Sequence, residues 1–132
     1  MILVDTSAWI DYLRGTETVA TRALTDLIQR GEDLVTTEPI IMELLAGADT
    51  SARAMAIEQL TNGLPLLSVD VRLDFRQASA IFLAVRRNGN TVRSLVDCLI
   101  AAVALRRDVA VLHRDSDYVA IAACLPLKIH SA

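Results

Sequence analysis

Short apolar runs alternate with longer segments of helical periodicity along this chain. The runs that predict buried strands cover residues 2–4, 34–35, 64–67, 109–112 and 127–129. Between them, apolar residues recur every three or four positions, as they do on one face of a helix. Strands that alternate with helices form parallel sheets, because right-handed crossovers place the helices on both faces. The pattern therefore predicts an α/β fold in which a short parallel sheet is flanked by helices.

The helix predicted from residue 71 to Arg87 has a regular apolar face. Steps of four and three residues connect its members, which are Val71, Phe75, Ala78, Phe82 and Val85. Asn88 and Gly89 should end this helix, because glycine readily adopts the left-handed conformation that closes many helices. Two further helices are predicted over residues 19–28 and 52–60, each of them ending before a glycine.

Polar residues predict where two more helices begin. Thr37 is the expected N-cap of a helix that runs to about Gly47, with Glu38 and Pro39 in its first turn. Residues 94–97 (Ser-Leu-Val-Asp) resemble a capping box, with Asp in place of the usual Glu. The segment that follows is almost entirely apolar, which predicts a helix buried on most sides.

Length and composition indicate one domain, which we expect to cover residues 1–132. No window approaches the roughly 18 uncharged apolar residues that cross a bilayer. The N-terminal segment MILVDTSAW also lacks the basic region and long apolar run of a secretory signal. We therefore expect a soluble, cytoplasmic protein. Cys98 and Cys124 lie in apolar stretches without metal-ligand spacing and should be free thiols.

The formal net charge of −3 argues against a nucleic-acid partner, because binding to phosphates normally requires an excess of Lys and Arg. This objection weakens if several of the acids bind cations. Lys128 is the only lysine, so arginine provides the rest of the basic side chains. Arginine favours planar, bidentate contacts with phosphate.

Four acids are candidates for a metal site. Asp5 and Asp115 follow predicted strands, so both should lie at the carboxyl edge of the sheet, where open α/β sheets bind ligands. Each acid alone has a plain structural explanation as a helix cap or turn former. Glu43 and Asp97 are harder to explain in this way, because they lie among apolar neighbours and a lone buried carboxylate costs several kcal/mol.

A divalent cation would neutralise such a cluster. Carboxylate oxygens suit Mg²⁺ or Mn²⁺, which activate water and neutralise charge at a scissile phosphate. Without metal, the crowded acids should have raised pKa values. His113 and His130 share no ligand spacing, so neither is assigned to the metal.

Four segments resemble the characteristic blocks of the PIN-domain ribonucleases. They are MILVDTSAWIDYL, TTEPIIMELLAG, RSLVDCLIAAVAL and VLHRDSDY, in the order and at the separations usual in that family. More narrowly, nearly the whole chain resembles the VapC toxins of VapBC (type II) toxin-antitoxin modules. The resemblance implies a PIN-like three-layer α/β/α fold and a magnesium-dependent endoribonuclease, with manganese as a substitute.

The resemblance also implies roles for individual residues. The acids that match the family's metal-binding positions are Asp5, Glu43, Asp97 and Asp115, with Asp117 as an auxiliary fifth. Thr6 and Ser7 match small hydroxyl positions that orient the first acid or the attacking water. That water would attack the phosphodiester in line and leave a 5′-phosphate. Tyr118 stands where many relatives have Phe and keeps an aromatic ring of similar size.

Basic residues flank two of the acidic blocks and could bind the RNA backbone. They are Arg86, Arg87, Arg93 and Arg114. Their alternative role is that of solvated helix ends.

Two other functions stay open from the residues alone. A phospho-acceptor receiver domain has a similar fold and an acidic magnesium pocket, but it needs adjacent acids after the first strand and a lysine after the last. Here Thr6 follows Asp5, and Lys128 lies within the last predicted strand. A PIN fold without catalytic activity, serving only as a binding module, is the second alternative.

The VapC resemblance further implies protein partners. We expect a homodimer that is held inactive by a small VapB-type antitoxin, in a heterotetramer or a larger complex. The antitoxin's C-terminal arm would lie across the acidic cleft.

Overall fold

A computed structural model describes residues 1–130 of the chain. Within these residues the chain forms three strands and seven helices. The strands are β1 (Ile2–Val4), β2 (Leu34–Val35) and β3 (Ala110–Leu112). The helices are α1 (Thr6–Arg14), α2 (Val19–Gln29), α3 (Glu38–Ala46), α4 (Ser51–Asn62), α5 (Asp74–Arg87), α6 (Leu95–Arg107) and α7 (Ser116–Ala122). The last two residues of the expected domain, 131 and 132, lie outside the described part.

The three strands form one parallel sheet in the order β2-β1-β3. The prediction of a short parallel sheet flanked by helices is therefore confirmed. β1 lies in the centre, with Leu3 and Val4 completely buried. Because β1 and β3 are parallel neighbours, the segments that follow them leave the sheet at the same edge.

Two of the predicted strands are reduced to single bridges. Residues 64–67 contribute one parallel bridge, between Leu66 and Thr36, and residues 127–129 contribute one between Ile129 and Val111. Proline has no N–H to donate to a ladder and is confined to sheet edges. Pro65 therefore limits the first segment, and Pro126 immediately precedes the second.

Helix α5 begins three residues later than predicted, and its buried face differs. The Asp70 side chain accepts the N–H groups of Arg72 and Leu73, and such local bonds compete with helix formation. Val71 is consequently outside the helix and 76% exposed, and Phe75 is 53% exposed. The buried residues of α5 are Asp74, Ala78, Ile81 and Val85. A carboxylate thus occupies the buried face that the apolar pattern assigned to Val71 and Phe75.

The capping box predicted at the start of α6 is absent. Ser94 is the N-cap by position, but its side chain makes no capping hydrogen bond. The carboxylate of Asp97 turns instead toward other acids. Asp117 accepts the backbone N–H groups of Arg93 and Ser94, so it takes the Ser94 N–H that Asp97 would accept in a capping box.

Most of α6 is buried, as the nearly all-apolar segment predicted. Cys98 on this helix is buried, Cys124 is half-buried, and both are free thiols. No helix within residues 1–130 is both long enough and apolar enough to cross a membrane.

Candidate metal site

The acids meet at the edge of the sheet where β1 and β3 end. The Asp5 N–H donates to the carbonyl of Leu112 at 2.9 Å, which fixes the residue after β1 beside the end of β3. Helix α7 begins four residues after Leu112, with Asp115 as its N-cap. Helices α3 and α6 contribute Glu43 and Asp97.

Asp5 is buried, and hydrogen bonds hold both of its carboxylate oxygens. Oδ2 accepts the N–H of Ser7 at 3.0 Å and its hydroxyl at 2.6 Å. Oδ1 accepts the hydroxyl of Tyr118 at 2.6 Å. The orientation of Asp5 is therefore set from two sides, by α1 and by α7.

Glu43 lies in the middle of α3 and is half-buried. The Thr6 hydroxyl donates to its Oε1 at 2.7 Å. Burial raises the pKa of Glu43, and the negative charges of Asp5 and Asp115 raise it further, against the lowering effect of Thr6. Neighbouring hydroxyls at positions 6 and 7 thus orient two different acids.

Asp97, Asp115 and Asp117 form the tightest acidic group in the described chain. One oxygen of each lies within 4.8 Å of the others. Asp97 is 4% exposed, and its Oδ2 has no hydrogen-bond partner in the structure. Burial, together with the adjacent acids, raises the pKa of Asp97 to about 9. The direction agrees with the rise expected for crowded acids, although burial is the larger cause at both Asp97 and Glu43.

Asp115 and Asp117 also organise the local backbone. Asp115 Oδ1 accepts the N–H of Asp117 at 2.9 Å and so caps α7. Asp117 accepts the N–H of Arg93 at 3.0 Å on Oδ1 and that of Ser94 at 3.1 Å on Oδ2. Asp117 thus ties the start of α7 to the start of α6, and both of its oxygens already accept hydrogen bonds.

The donor set fits a hard divalent cation. Mg²⁺ and Mn²⁺ prefer carboxylate oxygens, and the site offers several of them within a few ångströms. A buried carboxylate oxygen with no partner is unfavourable unless a cation is bound or the acid is neutral. Asp97 Oδ2 is such an atom.

The four arginines differ in their surroundings. Arg93 lies beside the acids, with Nη2 3.6 Å from Asp115 Oδ1 and Nε 3.8 Å from Asp117 Oδ1. Arg114 instead pairs through Nε and Nη2 with Asp11 of α1. The remaining two, Arg86 and Arg87, are exposed in the last turn of α5.

The sequence patterns indicated no role for Asp11 and none at the site for His113, and they indicated nothing about Tyr118 beyond the size of its ring. Asp11 is buried and binds the Arg114 side chain. The backbone N–H of Arg114 donates to the Ser7 hydroxyl at 2.9 Å. His113 Nδ1 accepts the N–H of Asp115 at 3.1 Å. The Tyr118 hydroxyl reaches Asp5, a contact that its occurrence beside an acidic block could have suggested.

The position of Lys128 weighs against a receiver domain. Its Nζ pairs with Asp108 Oδ1 at 2.8 Å. Asp108 precedes β3, whereas the acids follow β1 and β3, so this lysine reaches toward the opposite edge of the sheet. The site also has no acid next to Asp5, because Thr6 occupies that position.

The fold and the acidic site agree with one protein class. The sequence model of the PIN domain family matches residues 2–123. The chain therefore belongs to the PIN domain family.

Relatives place the chain within this family. Ribonuclease VapC11 of Mycobacterium tuberculosis is 45% identical over 132 residues, which cover 99% of this chain and 98% of its relative. The chain thus groups with the VapC ribonucleases.

Solved structures show the same fold at low sequence identity. VapBC2 from Rickettsia felis, determined bound to a DNA fragment from its promoter, has a TM-score of 0.75 and 12% identity over 98% of both chains. VapBC-5 from Mycobacterium tuberculosis has a TM-score of 0.70 and 24% identity, with 98% of this chain and 97% of that chain covered.

Proposed function

We propose that this chain is the toxin of a type II toxin-antitoxin module and acts as a divalent-metal-dependent endoribonuclease. The observation that carries the proposal is the buried, unpartnered Oδ2 of Asp97 beside Asp115 and Asp117. Full-length similarity to a ribonuclease, VapC11, supports RNA as the substrate class.

The acids Asp5, Glu43, Asp97 and Asp115 would hold Mg²⁺, or Mn²⁺ in its place. The bound ion would supply a Lewis acid that activates water and neutralises charge at the scissile phosphate. Asp117 is a weaker candidate ligand, because its two oxygens already accept backbone N–H groups. Asp117 would instead hold the start of α6 at a fixed position beside the start of α7.

The surrounding hydroxyls fix the geometry in which the acids act. Ser7 directs one oxygen of Asp5, and Thr6 directs Glu43. Groups held in place before the substrate binds need no reorganisation during the reaction. Arg93 is exposed beside the acids and would contact an RNA phosphate. Arg114 is less available, because Asp11 compensates its charge.

Cleavage of RNA tests this function. The purified chain should cut RNA in Mg²⁺ or Mn²⁺, stop in EDTA, and leave 5′-phosphate ends. Asp5→Asn should remove the activity, because an amide is a poor ligand for a hard cation. Cleavage that persists after thorough chelation would contradict metal dependence. A folded wild type that never cuts RNA would indicate a binding module.

The partner belongs to the same proposal. VapBC-5 is described as a member of the VapBC family of toxin-antitoxin systems. We infer that the chain acts in the cytoplasm as a homodimer and that a VapB-type antitoxin holds it in a heterotetramer or a larger complex. Light scattering should show the dimer at tens of micromolar, a concentration that favours weak association. A strictly monomeric protein would contradict the dimer, and a neighbouring small gene product that does not bind would contradict the antitoxin.

A further inference from the structure

Tyr118 is a fully buried tyrosine whose hydroxyl lies inside the acidic site. Its OH is 2.6 Å from Asp5 Oδ1 and 3.5 Å from Asp97 Oδ1. The residue is 0% exposed, so no solvent reaches the phenol in this structure. A phenol has one proton to donate, and the shorter distance assigns that proton to Asp5.

This hydroxyl lies beside two acids that come from different elements. Asp5 follows β1, whereas Asp97 lies on α6. The oxygen of the same hydroxyl lies 3.5 Å from Asp97 Oδ1, at the outer limit of hydrogen-bond distance. The other oxygen of Asp5 is held by Ser7. Tyr118 therefore supplies the second constraint on Asp5, and its hydroxyl oxygen lies beside both acids.

The ring that carries this hydroxyl is itself held rigidly. It packs against His113, with ring centroids 5.0 Å apart. Tyr118 lies in the first turn of α7, whose start is fixed by the Asp115 cap and by the hydrogen bond that Asp117 accepts from the Arg93 N–H. A buried ring on an anchored helix keeps its hydroxyl in place more firmly than a surface side chain would.

We propose that the Tyr118 hydroxyl is a positioning group of the metal site and holds Asp5 in the orientation from which it binds a divalent cation beside Asp97. The inference depends on the proposed function, since it takes these acids as ligands. Hydrogen-bond partners behind metal ligands commonly contribute 10- to 100-fold in metal affinity or activity. A bound cation itself orders the carboxylates. The Tyr118 hydroxyl therefore matters most in the metal-free site, where it orients the carboxylate of Asp5 before the cation binds.

The test compares Tyr118→Phe with Tyr12→Phe. Phe keeps the ring and removes one atom, and the Tyr12 hydroxyl makes no hydrogen bond within the described residues. Mn²⁺ is titrated calorimetrically into each protein after EDTA is removed, and RNA cleavage is measured over a range of Mn²⁺ concentrations. The Kd for Mn²⁺ should rise about tenfold in Tyr118→Phe and stay unchanged in Tyr12→Phe.

Cleavage distinguishes positioning from other roles. The Mn²⁺ concentration for half-maximal cleavage should rise about tenfold in Tyr118→Phe, and saturating Mn²⁺ should restore the rate to within about threefold of the wild type.

Three results would overturn the proposal. They are a Kd within about twofold of the wild type, a rate that saturating Mn²⁺ does not restore, and a variant that fails to fold even with Mn²⁺. The proposed function fails separately if the wild type binds no Mn²⁺.

Discussion

Two buried aspartates on neighbouring helices have opposite surroundings. Asp74 of α5 is 1% exposed and Asp97 of α6 is 4% exposed. Asp74 accepts hydrogen bonds from Arg106 Nε and Nη2 at 2.8–3.2 Å, and from the N–H of Asp70 at 2.7 Å. Asp97 has acids around it, and one of its oxygens has no partner.

Their pKa values diverge accordingly. Burial alone would raise the pKa of Asp74, but Arg106 and the Asp70 N–H lower it below the usual value. Burial and neighbouring acids raise the pKa of Asp97 to about 9. Burial of a carboxylate therefore does not mark a functional group by itself. The absence of a cationic partner within the described structure distinguishes Asp97 from Asp74.

The largest expected difference between the two aspartates is in catalysis. Asp97→Asn should lower RNA cleavage by more than about a hundredfold, because it removes a ligand rather than a supporting group. Asp74→Asn should leave the rate per folded molecule close to that of the wild type. Single-turnover cleavage, normalised to folded protein by circular dichroism, measures both. Full activity of folded Asp97→Asn would remove this residue from the site.

The next largest effect concerns stability. Arg106→Gln leaves the Asp74 carboxylate buried without a cation and should lower the free energy of unfolding by about 3 kcal/mol. Urea unfolding at neutral pH measures the change. The loss should shrink toward acid pH, because Asp74 then becomes protonated and no longer needs the charge. A change below about 0.5 kcal/mol would mean that this ion pair is not structural.

The pH dependence should separate the two sites further. Folded Asp97 keeps its proton up to a pH of about 9, whereas the unfolded chain loses it near the usual value of 3.8. The stability of the metal-free protein should therefore fall as pH rises between these values, by about 2.7 kcal/mol from pH 5 to pH 7. Asp97→Asn should flatten this slope in EDTA. An equal slope in wild type and variant would assign the dependence to other groups.

The smallest effect is expected at the exposed cation of the site. Arg93→Gln should weaken RNA binding about threefold, since an exposed phosphate contact contributes less than about 1 kcal/mol. Its salt dependence should also decrease. Arg30→Gln is the matched control, because Arg30 is also exposed but pairs with Asp26 and Glu32 rather than with the acids of the site. Equal losses in both variants would indicate a nonspecific charge effect.

Much of the fold follows from local patterns. Short apolar runs predicted β1, β2 and β3, and glycines predicted the ends of α2 and α3 to within two residues. Errors arose where side chains bind distant partners. The pattern of α5 could not show that the buried Asp74 pairs with Arg106, 32 residues away.

The proximity of the acids was predictable, but the contacts that support them were not. The family resemblance drew attention to Asp5, Glu43, Asp97 and Asp115, and the structure places them at one edge of the sheet. The Asp11–Arg114 pair and the Tyr118–Asp5 bond join residues more than 100 positions apart. No local spacing encodes such contacts.

The claim that the acids around Asp97 form one divalent-metal site is tested by the melting temperature of protein stripped with EDTA. Mn²⁺ at a hundredfold excess over its Kd should stabilise the wild type by about 2.7 kcal/mol, or roughly 10 °C for a domain of this size. Asp74→Asn should retain this increase, and Asp97→Asn should lose most of it. Wild-type melting that does not respond to millimolar Mn²⁺ or Mg²⁺ would contradict the claim.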